Sequence, residues 1–497
     1  MPSSTIVVGV SVAYLAASLV VGMWPGRKAS STASGFVAGD RTLGLVLMYF
    51  ITGATIFSSF AFLGAPGWAY KKGAAAFYIL GYGALGLVPF YFLGPRAARL
   101  GRRYGFVSQA EMIAKRYNMR SIAGVMALLS VAAFIPYLAL QIKGAGYVLY
   151  AVTGGALPIW LGGALVYLVV MIYVLRSGVL GVGWTNTFQG VFMMVLAWGL
   201  GLYLPYKLYG GLRPMFEQII QTHPGHLTPP GLTASGDAWS WAGYTTAVLM
   251  SAIGFSVWPH LFMKAFTAKD ERTLKRTVVL YPTFQIFLVP LFLIGFAGVN
   301  FGSAPEAADQ ILPHMLMNME IPALLVGLFC AGALAASMSS GDAMVHAAAS
   351  IAIRDGGVIA AGWKLDEQQQ RRWIRIAVVI VMIGAYLLTV LYRGDLVSLL
   401  LWAYGPIGQF MPVVVATLYW RRATGPGVLS GLVAGGLLTV LFTLFGDWRP
   451  WPDIHAGIYG LAVNVPILIA VSLATARARA SEDPDYLAVA GKPSDSN

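Results

Sequence analysis

The sequence predicts an all-α integral membrane protein, and three observations carry that expectation. Of 497 residues, 58% are hydrophobic and only 11% charged, far outside the range of a soluble domain. Apolar stretches long enough to cross about 30 Å of hydrocarbon recur along nearly the whole chain. The basic residues lie between those stretches, and alternate assignment of the loops puts 26 of the 33 Lys and Arg on one side, as cytoplasmic loops require.

About thirteen stretches meet the length requirement: 5–24, 42–70, 74–95, 122–150, 156–175, 179–206, 240–263, 278–301, 321–353, 375–392, 396–420, 427–446 and 457–475. The first has no basic n-region and is followed by Arg27 and Lys28, so it reads as a span rather than a signal peptide, with the N-terminus outside. An odd count then puts the C-terminus inside a multi-pass protein of the cell (inner) membrane. Six basic residues stay outside (Lys71, Lys72, Lys207, Arg213, Arg393 and Arg449), and Lys143 falls within a span.

Several function classes are excluded. The net charge of +13 is spread over loops instead of forming one basic face, so it reports topology and not a nucleic-acid partner. The single cysteine, Cys330, permits no disulfide framework or cysteine metal site. The six histidines are scattered, and neither a transition-metal cluster nor a nucleophile set appears, which argues against an enzyme. His223 and His226, in the long outer loop, lack a nearby carboxylate and read as part of an external cap. Neither an organic cofactor nor an obligate protein partner is implied; the lipid bilayer is the surroundings the chain requires. The polar C-terminal tail reads as disordered.

The second segment contains ATIFSSFAFLGAPGWAYKKG, where Gly64, Pro66 and Gly67 are expected to break the helix. At membrane depth such a break is tolerated only where the freed backbone faces protein or a polar cavity. The seventh segment contains MSAIGFSVWPHLFMK, with Gly254 and Ser256 ahead of Pro259, and crosses in the opposite direction. Interrupted helices at corresponding places in two inverted halves point to a transporter with its site near the midplane. In the ninth segment Ala336, Ser339 and Ser340 share one helical face that Ala343 and Ala347 continue. That face either lets two helices approach closely or presents hydroxyls to a monovalent cation.

The chain resembles the sodium:solute symporter family, and within it the monocarboxylate-permease branch. The resemblance rests on FLGAPGWAY, PYLALQ, GWTNTFQG, WPHLFMKAFTAKDERTLKR, DQILP, LAASMSSGDA and LYWRRATGPG, in that order along the chain. It implies a LeuT-type fold in which 42–208 and 240–422 are 5+5 inverted repeats. Around them lie a first helix and loop (1–41), an outer loop (209–239), two peripheral helices (423–476) and the tail (477–497). It further implies a Na+ site formed by the carbonyls of Ala54, Phe57 and Ala336 and the hydroxyls of Ser339 and Ser340. Where many relatives carry an aspartate near the ion's exit path, this chain has Asn186. Asp342 either supplies a local charge in its place or forms a helix pair with His346, four residues on.

No acidic residue lies in the middle of the second segment, so a cationic solute is not expected. Thr55, Ser58, Ser59 and Gln141 are candidates for binding a small polar solute, with Phe60, Phe62 and Trp68 as walls. Lys143 either attracts a carboxylate or is taken up by backbone carbonyls or the membrane surface. The expected function is Na+-coupled import of a small organic anion such as acetate, lactate or pyruvate. The alternatives are proton coupling through Asp342 and His346, or a transporter-derived membrane sensor.

Overall fold

A computed structural model describes residues 4–24, 41–475 and 485–491, without the side chains of 177–181. Arg27, Lys28, Arg477, Arg479 and Lys492, which count toward the topology, lie outside the described residues. Within these limits helices make up most of the chain, and β pairing is confined to isolated bridges.

In chain order, α1 is Ser4–Met23, α2 Leu45–Ile56, α3 Ala65–Lys72, α4 Phe77–Gly86, α5 Phe90–Tyr104, α6 Gln109–Tyr117 and α7 Arg120–Val152. Next come α8 Ile159–Arg176 and α9 Val182–Tyr209, then α10 Leu212–Thr222 and α11 Trp241–Phe255. They are followed by α12 Pro259–Thr267 and α13 Glu271–Gly298, then α14 Ile311–Asn318, α15 Ala323–Ile351 and α16 Glu367–Leu391. Finally α17 is Leu396–Tyr419, α18 Gly425–Leu444, α19 Ala456–Ala474 and α20 Tyr486–Gly491. Among the described residues ten helices are long and apolar enough to span a membrane, or up to twelve if each of two bent pairs is one span. The expected third span, 74–95, is divided between α4 and α5, each shorter than 18 residues.

The two bent pairs fall in the segments expected to be broken. The Leu45–Ile56 helix meets its continuation from Phe60 at 53°, and Trp241–Phe255 meets Pro259–Thr267 at 41°. In the second pair Pro259 opens α12, where its missing N–H costs no hydrogen bond. In the first pair the break lies earlier than Gly64, Pro66 and Gly67 indicate: α2 ends at Ile56, Phe57 leaves the helical region with ψ 74, and the chain resumes at Phe60. A π-helical turn over Phe60–Gly64 leads into Pro66 in the first turn of α3, so the proline interrupts nothing. Gly67 serves close packing instead, since a Cβ there would lie 3.0 Å from the backbone of Ala308.

At the centre of the bundle, α15 is buried along nearly its whole length from Val326. It packs on α1, α7, α8 and α9, and its small residues permit that many neighbours. The tail, expected to be disordered, holds α20 among its described residues. Tyr486 is fully buried there and its hydroxyl donates to the Met112 carbonyl at 2.6 Å, while Arg99 donates to the Ala490 carbonyl at 2.7 Å.

Candidate functional site

The break after α2 exposes backbone groups at membrane depth, and side chains from other helices take them up. The Ser339 hydroxyl donates to the Ala54 carbonyl at 2.9 Å and, within its own helix, to Ala336 at 3.1 Å. The Ser340 hydroxyl donates to the Thr55 carbonyl at 2.6 Å. Ser59 N–H donates to Gln141 Oε1 at 2.9 Å, and Phe60 N–H to Ser58 Oγ at 3.1 Å. The second break is treated in the same way, with Gln109 Nε2 donating to the Val257 carbonyl at 3.1 Å. These freed groups are satisfied inside the protein, as the membrane demands.

Four of the five expected Na+ ligands thus meet at the α2–α15 contact: Ala54, Ala336 and Ser339 directly, and Ser340 through Thr55. Phe57 sits at the break itself, with its ring 5.0 Å from that of Phe284. The donor set suits a small hard cation, being neutral carbonyl and hydroxyl oxygens only. The two serine protons point at carbonyls and can rotate away, so the same oxygens can hold either the hydrogen bonds or an ion.

Of the expected solute contacts, Ser58, Ser59 and Gln141 converge at the break, whereas the Thr55 hydroxyl bonds back to the Ile51 carbonyl of its own helix. Three buried groups remain without partners at the two breaks: Ser59 Oγ and Gln141 Nε2 at the first, and Trp258 Nε1 at the second. All three can donate a hydrogen bond. The sequence did not single out the ring cluster that joins the two breaks. Trp258, between α11 and α12, lies 5.1 Å from Tyr137 and 5.7 Å from Tyr404; Tyr404 lies 5.6 Å from Tyr82, and Tyr82 6.4 Å from Phe60. Of the expected walls, Phe60 belongs to this cluster and Trp68 lies beside it, against Tyr78 and Trp239. Phe62 is buried elsewhere in the core.

Asp342 is fully buried and does not lie at an open mouth. Its carboxylate accepts from the Tyr173 hydroxyl at 2.9 Å, the Thr185 hydroxyl at 3.1 Å and Asn186 Nδ2 at 3.3 Å. The structure therefore joins Asp342 to Asn186, across the α15–α9 contact. His346, one turn on, is buried as well.

Lys143 is turned away from Gln141. Its Nζ donates to the carbonyls of Tyr392 and Gly394 at 3.1 and 2.8 Å and faces the rings of Tyr392 and Tyr147. Of the two readings open in the sequence, capture by backbone carbonyls is the one observed. The loop it holds lines a cavity of about 220 Å³ together with Lys72, Asp309, Arg393 and Asp395. Asp309 accepts from Leu396 N–H at 3.0 Å, and burial, reinforced by Asp395, pushes its carboxyl up to about 7.

Residues 36–435 match the sodium:solute symporter family. A Bacillus subtilis protein named uncharacterized symporter YhjB is 28% identical over 461 residues, 90% of this chain and 92% of that protein. A Rhizobium johnstonii monocarboxylate transport permease protein is 22% identical over 87% of this chain and 89% of its own. The Escherichia coli sodium/pantothenate symporter is 26% identical over 87% and 90%. Among solved structures, a Na+-coupled sialic acid symporter in a substrate-bound outward-open state matches with a TM-score of 0.76 at 20% identity, over 95% of this chain and 97% of that one. The likeness shows the fold, which is the expected LeuT type.

Proposed function

The chain belongs to the sodium:solute symporter family, and from that premise we propose that it imports a small monocarboxylate, such as acetate, lactate or pyruvate, together with Na+. Coupling of solute transport to Na+ follows from the family; the ion's ligands, the solute and the sidedness are our reading. The residues 42–208 and 240–422 act as the inverted repeats, with the N-terminus outside. The carbonyls of Ala54, Phe57 and Ala336 and the hydroxyls of Ser339 and Ser340 hold the ion between α2 and α15.

The observation that supports an anionic solute is the set of unpaired donors, Ser59 Oγ and Gln141 Nε2 at the first break and Trp258 Nε1 at the second. Buried donors without acceptors are costly unless the ligand brings the acceptors, which a carboxylate does. Ion binding replaces two interhelical hydrogen bonds with bonds that bridge the same helices more strongly. It thereby biases the bundle toward the arrangement in which Gln141 and Ser59 meet the solute.

The test is uptake of labelled acetate, lactate and pyruvate into proteoliposomes, with and without an inward Na+ gradient, for wild type and Ser339→Ala/Ser340→Ala. Sodium-stimulated uptake that the double variant loses is the expected result. Failure of all three acids with folded protein overturns the solute class and leaves the ion site to be tested by binding. A second reading, proton coupling, is favoured by the buried Asp342 carboxyl held among three neutral donors. Uptake that follows a pH gradient and ignores Na+ would replace the first reading with this one.

A further inference from the structure

A seam between α8 and α16, away from the ion and solute residues, combines a charged end with an apolar groove. Its charged end is a cavity of about 850 Å³ whose basic lining is Arg176, Arg371, Arg372 and Arg375. Some arginines elsewhere in the bundle have carboxylate partners, as in Arg99–Glu271 at 2.7 Å and Arg354–Glu111 at 2.9 Å, and others donate to backbone carbonyls, as Arg96 does to Leu418 at 3.0 Å. Among the described residues, Arg176, Arg372 and Arg375 make no ion pair, and the buried Nε of Arg375 has no hydrogen-bond partner. Guanidinium groups without a counter-charge, gathered in one cavity as those of Arg176, Arg372 and Arg375 are, repel one another unless an anion joins them.

The cavity continues as a second one, of about 280 Å³, along the same two helices. The two meet at Val379, and the second is lined without a single charged residue; Leu168, Met171, Met382 and Ile383 form much of it. On α16 the positions 372, 375, 379, 382, 383 and 386 follow the three-to-four spacing of one helical face. The antiparallel α8 contributes Arg176 at the charged end and Ala164 at the other. From Arg372 to Tyr386 the helical rise is roughly 21 Å, against about 15 Å for the hydrocarbon of one leaflet, so the seam is long enough for a headgroup and an acyl chain. Leu168 and Ile383 are 48% and 54% exposed, which places this groove on the bundle's outer, lipid-facing wall.

We propose that this seam is a binding site for an anionic glycerophospholipid, with its phosphate among Arg176, Arg371, Arg372 and Arg375 and one acyl chain in the apolar groove. A free phosphate satisfies only the charged end, and a zwitterionic lipid brings its own cation into a cluster of cations. Arginine is suited to the task because its planar fork binds phosphate oxygens in pairs. The site does not depend on which solute or ion is transported. It does adjoin the transport machinery: Tyr167, on the inner wall of the groove, donates to the Ser337 carbonyl at 2.8 Å, two residues before Ser339.

The experiment is lipid titration of the detergent-solubilised, full-length protein, read by native mass spectrometry and by melting temperature. The probes are dioleoyl phosphatidylglycerol, dioleoyl phosphatidylcholine and inorganic phosphate. Saturable binding of phosphatidylglycerol alone is expected, weakened roughly 30-fold in Arg372→Gln/Arg375→Gln and retained in Arg421→Gln/Arg422→Gln. Ile383→Trp, a substitution on the exposed wall that leaves every arginine in place, is expected to fill the groove and weaken lipid binding with folding intact. Equal binding of phosphatidylcholine, full binding by both the arginine variant and Ile383→Trp, or an equal effect of inorganic phosphate would overturn the proposal.

Discussion

The sharpest test of the ion site is a comparison of Ser339→Ala and Ser340→Ala in two measurements that a merely structural role would move together. Each hydroxyl donates to one α2 carbonyl. Interhelical hydrogen bonds in membranes are worth about 0.6 kcal/mol on average and at most about 1.7. Ser340 has the shorter bond, 2.6 Å to Thr55, whereas Ser339 shares its proton with Ala336 of its own helix, so Ser340→Ala carries the larger structural cost. For a chain of 497 residues the unfolding entropy is roughly 1 kcal/mol/K, so these costs lower the sodium-free melting temperature by only about 1–2 °C. A polar group that contacts a charge is worth more, about 1.5–3 kcal/mol, so loss of either hydroxyl weakens Na+ binding by roughly 10- to 150-fold. The assay pairs equilibrium binding of radioactive Na+ with melting in a sodium-free choline buffer. A Na+ affinity left within threefold of wild type in both variants would refute the site, whatever happens to the melting temperature.

Three further outcomes are expected. Gln141→Leu leaves the buried Ser59 N–H without its acceptor, costing about 1–3 kcal/mol, and abolishes uptake; Gln141→Glu restores the acceptor and hence the melting temperature, but not the uptake, because the donor is still missing. Lys143→Met frees the carbonyls of Tyr392 and Gly394 and lowers stability, while KM for the transported acid stays within twofold; a tenfold rise in KM would return Lys143 to the solute site. Asp309 has its carboxyl raised to about 7 from an unfolded value near 3.9, so between these values the native state holds the extra proton and stability falls as pH rises. Melting measured from pH 5 to pH 8 should therefore slope downward in wild type and less steeply in Asp309→Asn; identical slopes would contradict the assignment.

The fold was legible because bilayer thickness, loop charge and helix breaks each leave a local mark on the sequence. The exact place of the first break was not. Pro66 is a strong breaker in isolation, yet a π-helical turn over Phe60–Gly64 sets it in the first turn of α3, and the true interruption at Phe57–Ser59 contains neither proline nor glycine. Those residues leave the helix because Gln141, Ser339 and Ser340 offer partners for the backbone around the interruption, and those partners lie 82 or more residues away. Local propensity records what a residue permits; the break records what distant side chains supply.

The same distinction governs the site. Ser339 and Ser340 were visible because one helix presents both hydroxyls, and a shared face is a sequence property. Asp342 was visible as well, and of its neighbours the sequence offered Asn186 and His346. Asn186 does donate to the carboxylate, while the two hydroxyls that join it, from Tyr173 on α8 and Thr185 on α9, lie too far off in sequence for helical spacing to indicate. The aromatic bridge was invisible for the same reason, since Phe60, Tyr82, Tyr137, Trp258 and Tyr404 belong to five separate segments and look individually like packing. Together they connect the two helix interruptions, one in each half of the chain. A change at one interruption therefore has a contiguous, tightly packed route to the other, and the unpaired donors of Ser59, Gln141 and Trp258 lie along it. A ligand that satisfies donors at both ends stabilises one relative position of the two halves, which is what coupling of binding to rocking requires.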